Sequence, residues 1–156
     1  MFSSFYSTHL LPTLVLLPIL GSIVVFFIPC KNVQLIRRLG LFFSFLVFFV
    51  SLFLWLLFDR YYVRFQFVYD FIWVSSANLN FSLGIDGISI FFVLLTTLLI
   101  PLCLLASWDS ITKSYKEYVI AFLLMESFLI LVFCVRDLLL FYIFFESVLI
   151  PMFIII

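Results

Sequence analysis

The composition of this chain excludes a soluble globular fold. Its 156 residues are 67% hydrophobic and 10% charged, whereas soluble domains are about half apolar and about a quarter charged. A domain of this size cannot bury so much apolar surface, and a formal net charge of zero offers no basic face for nucleic acid. The excess apolar surface must therefore face lipid, and membrane lipids are expected partners.

Five apolar segments are predicted to be membrane spans, because about 20 apolar residues cross the hydrocarbon layer as a helix. The predicted spans, in a single domain over residues 1–156, are 10–29, 39–58, 88–108, 118–135 and 138–156. The first lacks the basic residues and the small-residue cleavage site of a targeting peptide, so we expect it to be retained. The sequence thus predicts an all-α polytopic membrane protein.

The long connection between the second and third spans, Asp59 to Gly87, has a strand-like pattern. YVRFQFVYDFIWV is rich in β-branched and aromatic residues, SSANLN supplies turn residues, and FSLGI resumes the pattern. This predicts a short β-hairpin-like flap at the membrane surface, where Tyr69 and Trp73 suit the interfacial aromatic belt. An irregular loop is the alternative. Asp86, in GIDGIS, is placed to cap the third span.

Basic residues in the short loops predict the orientation of the chain. The first and third loops hold the larger set, which consists of Lys31, Arg37, Arg38, Lys113 and Lys116. The opposite side holds Arg60, Arg64 and Arg136, diluted by acidic residues. The first side is therefore expected to be the inner one, with the N-terminus outside and the C-terminus inside.

Two acidic residues lie inside predicted spans, where a charge requires a particular reason. Glu126 is in the fourth span and Glu146 in the fifth, each about ten residues from the turn between them. At ~1.5 Å per residue, both are about 15 Å from that surface, near the midplane. An ionisable group at this depth costs at least ~2.5 kcal/mol and usually faces a protein interior or a water-filled cavity.

These two carboxylates form the candidate site. Burial disfavours the charged form and a nearby cation favours it, so a Glu between these effects can load and release a proton. The alternatives are a permanently protonated Glu that bonds between helices, or a structural ion pair, and Ser127 is a local candidate partner for Glu126. The predicted spans contain no Lys or Arg, so a cation at mid-membrane depth would come from another chain.

No further catalytic or metal-binding pattern is evident in the sequence. Cys30, Cys103 and Cys134 form no CxxC or Cys/His grouping and are expected to be small apolar fillers. His9 stands alone near the N-terminus and is expected at the surface.

Two segments closely resemble a known family. LGIDGISIFFVLLTTLLIPLCLLASW and KEYVIAFLLMESFLILVFCVRDLLLFYIFFESVLIPMFIII are similar to subunit 4 of mitochondrial NADH dehydrogenase, an antiporter-like membrane-arm subunit of respiratory complex I. GIDGIS and FFESVLIPMF carry most of the specificity. The weaker similarity of LLPILGSIVVFFIP and FQFV extends the resemblance over nearly the whole chain.

The resemblance implies a proton-translocating part of NADH:ubiquinone oxidoreductase, in the mitochondrial inner membrane with the N-terminus toward the intermembrane space. The chain would be the N-terminal part of a fold of about fourteen helices. Glu146 matches the family's key glutamate of the fifth helix, expected to pair with a lysine on a later helix, and Glu126 matches a fourth-helix glutamate. NADH, FMN, iron–sulfur clusters and ubiquinone would bind in other subunits, and other membrane-arm subunits would be partners.

The chain departs from the family because it ends in the fifth span, before the later helices and their lysines. Its apolar ending, PMFIII, has no charged or aromatic stop. This favours the hypothesis that a second chain supplies the remaining helices of a split subunit, and a truncated product is the alternative. Two other functions compete, a sodium/proton antiporter subunit and a structural fragment in which Glu146 relays no proton.

Overall fold

Five apolar helices make up most of the protein. The structure is a computed structural model that describes residues 2–156, with side chains from residue 8 onward. Within this part, five helices are long and apolar enough to span a membrane. They are α1 (Phe2–Phe27), α2 (Val33–Leu57), α3 (Ser89–Ala106), α4 (Tyr115–Cys134) and α5 (Leu138–Ile155). The predicted fold of five spans is confirmed.

Helices α1, α2 and α4 begin earlier than the predicted apolar runs, and the extensions of α2 and α4 contain basic residues. Helix α2 begins at Val33, so that Arg37 and Arg38 lie within it, and Lys116 lies in the first turn of α4. The prediction that no Lys or Arg lies within a span is therefore wrong. The apolar run marks the hydrocarbon depth, whereas the helix continues into the headgroup layer, where long basic side chains can reach water.

The connection between α2 and α3 forms a β-hairpin, as predicted, and not an irregular loop. Strand β1 (Gln66–Val74) pairs antiparallel with β2 (Leu79–Ile85), and Asp70 lies opposite Ser82. A 3-10 turn followed by Asn78, whose φ is 51°, reverses the chain. Asn is among the residues that most readily adopt this left-handed conformation. The hairpin packs against α1 and α4.

Helix α4 is the centre of the bundle. It packs against α1, α2, α3 and α5, whereas α5 packs chiefly against α4. Of the five spans, α4 is the most buried and α5 the least. Two apolar clusters meet on α4: a loop-side cluster around Leu123, near the α1–α2 and α3–α4 loops, and a hairpin-side cluster around Ile130.

Asp86 caps the start of α3, as GIDGIS predicts. Its Oδ1 accepts hydrogen bonds from the backbone N–H groups of Ser89 (2.7 Å) and Ile88 (3.1 Å). The bond from Ser89 is the largest cause of a pKa of the Asp86 carboxyl below its ordinary value. The ionised cap therefore stabilises this helix start at neutral pH, and its contribution is lost as the pH falls through the lowered pKa.

Gly40 allows α2 to approach α4 closely, since a Cβ at this position would lie 2.6 Å from Cγ1 of Val119. We predict that Gly40→Ala lowers the free energy of unfolding by ~1–3 kcal/mol, the usual cost of overpacking. Unfolding of the purified protein in detergent measures it. Gly87→Ala is the control, because nothing lies within 4 Å of a Cβ there. Equal effects of the two substitutions would contradict the close approach.

Candidate functional site

Glu126 lies in the middle of α4 and is 0% exposed. Along the helix it follows the loop-side cluster, which includes Phe122 and Leu123, and precedes Ile130 of the hairpin-side cluster. Because α4 has helices packed on several sides, the carboxylate is enclosed by protein. Among the residues that the structure describes, neither of its oxygens has a hydrogen-bond partner.

The buried hydroxyl groups around the middle of the bundle do not supply that partner. Each lies within hydrogen-bonding distance of a backbone carbonyl of its own helix, and the residues are Ser22, Ser44, Ser51, Thr96, Thr97 and Ser127. The hydroxyls of Ser51 and Thr97 also bond to each other at 2.8 Å, between α2 and α3. Ser127 was the local candidate partner for Glu126, but its Oγ bonds to the carbonyl of Leu124 at 2.8 Å. A helical serine reaches its own preceding turn more easily than a neighbouring side chain.

The isolation of Glu126 has a chemical consequence for both of its forms. An ionised carboxylate in this enclosure needs a cation or water, because burying an unpaired charge is very costly. A protonated carboxyl needs an acceptor for its O–H, and a missing bond there costs about 1–3 kcal/mol. The Glu126 side chain therefore requires a partner in either form. Its carboxyl can exchange a proton with a water molecule or an ionisable group that comes within hydrogen-bonding distance.

Glu146 lies at about the same depth as Glu126 but in different surroundings. It follows Leu138, the first residue of α5, by eight residues, and Glu126 precedes Cys134, the last of α4, by eight. At ~1.5 Å per residue, both carboxylates are about 12 Å from these neighbouring helix ends. Glu146 is exposed, on a helix face whose exposed apolar residues include Tyr142, Phe145, Leu149 and Phe153. No hydrogen bond joins the two carboxylates.

The basic residues near the α4 start are engaged away from both glutamates. The Arg37 guanidinium lies over the rings of Trp108 (5.4 Å) and Tyr115 (4.8 Å). The Lys116 Nζ donates to the carbonyl of Ile28 at 2.8 Å. These contacts were not predicted from the sequence, although aromatic residues beside basic loops are a signal for them. Within the described residues, no ion pair involves Glu126 or Glu146.

Comparison with known proteins assigns the chain to a family. It is 57% identical to the Arabidopsis thaliana protein named NADH-ubiquinone oxidoreductase chain 4, over an alignment of 143 residues that covers 92% of this chain. Identity to the Marchantia polymorpha protein of the same name is 53% over 152 residues, or 97% of the chain. The chain belongs to the NADH-ubiquinone oxidoreductase chain 4 family. It spans 29% and 30% of the lengths of these two relatives.

Structural comparison agrees with this assignment. The chain matches one chain of the structure titled respiratory complex I from Thermus thermophilus with bound NADH, with a TM-score of 0.74 and 30% identity. The match covers 90% of this chain and 27% of that one. No family model matches the sequence. The family predicted from GIDGIS and FFESVLIPMF is therefore confirmed by both comparisons.

The isolation of Glu126 predicts that an apolar side chain of similar size stabilises the protein. We expect Glu126→Met to raise the free energy of unfolding in detergent by ~1–3 kcal/mol, because it removes two buried oxygens without partners. Glu146→Met is the control and should change stability little, since Glu146 is exposed. A loss of stability in Glu126→Met would show that the carboxyl has a partner.

Proposed function

We propose that the chain is a proton-translocating membrane-arm component of NADH:ubiquinone oxidoreductase, respiratory complex I, in the mitochondrial inner membrane. Membership of the chain 4 family supports the complex. The observation that carries the proton role is a pair of carboxylates at one depth on adjacent antiparallel helices, one enclosed without a partner and one on an open face. Such residues mark proton and ion paths in membrane proteins.

In this proposal Glu146 is the proton-relay carboxylate that later helices contact. Its face of α5 is uncovered, and the relatives are about three times as long as this chain. A helix from the rest of a chain 4 subunit, with a lysine at mid-membrane depth, would cover this face and pair with Glu146. Glu126 is the second candidate relay group, on the adjacent helix. A proton that leaves one carboxylate can then be stabilised at the other.

The redox chemistry of such a complex is assigned to other subunits. The residues described here do not fit a metal or cluster site, since they include no group of three or more His, Cys, Asp and Glu placed to hold a metal ion. Cys30 and Cys103 are exposed and Cys134 is buried. In this proposal, NADH, FMN, iron–sulfur clusters and ubiquinone bind elsewhere in the complex.

The orientation follows from the same basic residues that predicted it. Arg37 and Lys116 lie at the helix ends opposite the hairpin, and basic residues favour the inner side of a membrane. We therefore place the hairpin and the N-terminus on the intermembrane-space side. The sodium/proton antiporter alternative is disfavoured by the names of the relatives, and the structural alternative is decided by the substitutions below.

We predict that Glu146→Gln in the assembled complex lowers proton pumping per NADH oxidised at least ~10-fold, since the amide cannot carry the proton. Fluorescence quenching of a pH-sensitive dye in membrane vesicles measures pumping, and native gels measure assembly. Glu146→Asp should retain part of the activity. Glu117→Gln, the same change at an exposed residue in the first turn of α4, should pump normally.

Two results would contradict the relay. Normal pumping by a fully assembled Glu146→Gln complex would favour the structural alternative. Sodium-dependent pumping without NADH and ubiquinone would favour the antiporter. The second position, Glu126→Gln, tests whether the buried carboxyl belongs to the same path, because a shared path requires both groups to exchange protons.

The separate-chain hypothesis remains a prediction about the partner of α5. If it is correct, the purified complex contains this chain at a mass near 18.4 kDa and a second chain-4-like polypeptide, and cross-linkers on the open face of α5 capture that polypeptide. Intact mass spectrometry of the complex makes both measurements. A single longer polypeptide that includes this sequence, or no second chain-4-like component, would contradict it.

A further inference from the structure

The turn between α4 and α5 is fastened to the hairpin by three residues, Asp70, Ser82 and Arg136, which we call the hairpin latch. The backbone N–H of Arg136 donates to the carbonyl of Ser82 at 3.0 Å. Its Nη1 donates to Ser82 Oγ at 3.2 Å and lies 3.8 Å from Asp70 Oδ1. The hydroxyl of Ser82 donates to that same Asp70 oxygen. Backbone, hydroxyl and carboxylate therefore meet at one arginine.

The strand around Ser82 is shaped to receive the arginine. Leu83 forms a β-bridge with Val135, so the end of α4 extends the sheet by one residue. The guanidinium lies 4.9 Å from the centre of the Phe65 ring. A Cβ at Gly84 would lie 2.8 Å from Cδ of Arg136. Any larger residue at Gly84 would displace the arginine stem, so this close approach depends on glycine.

The latch lies directly before the helix that carries Glu146. Asp137 follows Arg136 and caps α5, since its Oδ1 accepts a hydrogen bond from the N–H of Leu139 at 3.1 Å. The hairpin also reaches α5 two residues before Glu146, where the rings of Phe81 and Phe144 meet edge to face at 6.0 Å. One contact therefore joins the hairpin to the turn before α5, and a second joins it to the first half of α5.

These contacts are important because few others hold α5 in place. The helix packs chiefly against α4 and is the least buried of the five. The latch side chains are partly exposed to solvent, with exposed fractions of 34% for Arg136 and 61% for Asp70. An ion pair with this exposure changes the equilibrium between the attached and detached hairpin by at most about fivefold. Such a pair stabilises the whole fold little, but it can select one rotation and depth of a loosely packed helix.

We propose that Arg136 is a positioning residue that couples the hairpin to α5 and so fixes Glu146 relative to its proton partner. The proposal rests on the proton-relay function for its consequence but not for its structural part. A neighbouring protein that moves the hairpin on the outer surface would then change the position of a mid-membrane carboxylate. Arg136 itself takes no part in proton transfer.

The test uses the assembled complex and two measurements. Amide hydrogen exchange of residues 138–144 reports on the start of α5, and proton pumping per NADH oxidised reports on Glu146. Asp70→Asn, an isosteric change at an exposed residue, should raise the exchange about two- to fivefold and lower the pumping ratio about twofold. Asp109→Asn, the matched change in the exposed α3–α4 loop, should alter neither.

Two substitutions of Arg136 separate the effect of its charge from the effect of its size. Arg136→Gln should have the same effects as Asp70→Asn, whereas Arg136→Lys, which keeps the charge toward Asp70, should restore at least half of both signals. If Arg136→Gln fails to assemble, Asp70→Asn decides the matter. Equal loss in the Lys and Gln variants would overturn the role of the ion pair.

The outcomes separate this proposal from the proposed function. Unchanged exchange in Asp70→Asn and Arg136→Gln would overturn the latch. Raised exchange with normal pumping, in a complex where Glu146→Gln abolishes pumping, would overturn the positioning role. If the Glu146→Gln complex pumps normally, the proposed relay function is wrong. The amide hydrogen exchange of residues 138–144 then still tests whether the latch holds the hairpin to the start of α5.

Discussion

The hydrocarbon layer supplies no hydrogen-bond partners, and this constraint governs the whole bundle. The buried serine and threonine hydroxyls satisfy it within their own helices, as Ser127 does with Leu124, or between helices, as Ser51 does with Thr97. Within the described residues, the buried side-chain atoms without a hydrogen-bond partner are the Nε of Arg37 and both carboxylate oxygens of Glu126. Helix α4 can enclose this carboxylate because four other helices pack against it. The centre of the bundle thus keeps lipid away from a group whose requirement for a partner remains unmet.

The two glutamates share a depth but not an environment, and this difference matters for the proposed proton relay. Glu126 is 0% exposed, so a proton reaches it through other groups or through water that enters the bundle. Glu146 is exposed on α5, so its properties depend on what covers that face. A relay between two such sites can be controlled at Glu146, because a change in the protein that covers its face of α5 alters the free energy of the charged carboxylate.

Local patterns predicted much of this structure, and tertiary contacts account for what they missed. The five spans, the hairpin over 59–87 and the Asp86 cap follow from run length, alternation and turn residues within short windows. Whether the candidate Ser127 bonds to Glu126 could not be predicted, because the hydrophobic pattern does not show which acceptor a hydroxyl contacts. The latch at Arg136 joins residues 54 positions apart, so no local window contains it. The exposure of Glu146 likewise depends on how α5 packs.

The distance between Lys116 and Glu126 determines how far this lysine can stabilise an ionised carboxylate. Lys116 precedes Glu126 by ten residues on α4, about 15 Å along the axis. Two charges at that separation attract by roughly 1 kcal/mol at an effective dielectric constant of about 20. Enclosing a carboxylate away from water costs several kcal/mol. Since Lys116 also bonds to the carbonyl of Ile28, it cannot compensate the charge, and a cation or water at mid-membrane depth has to do so.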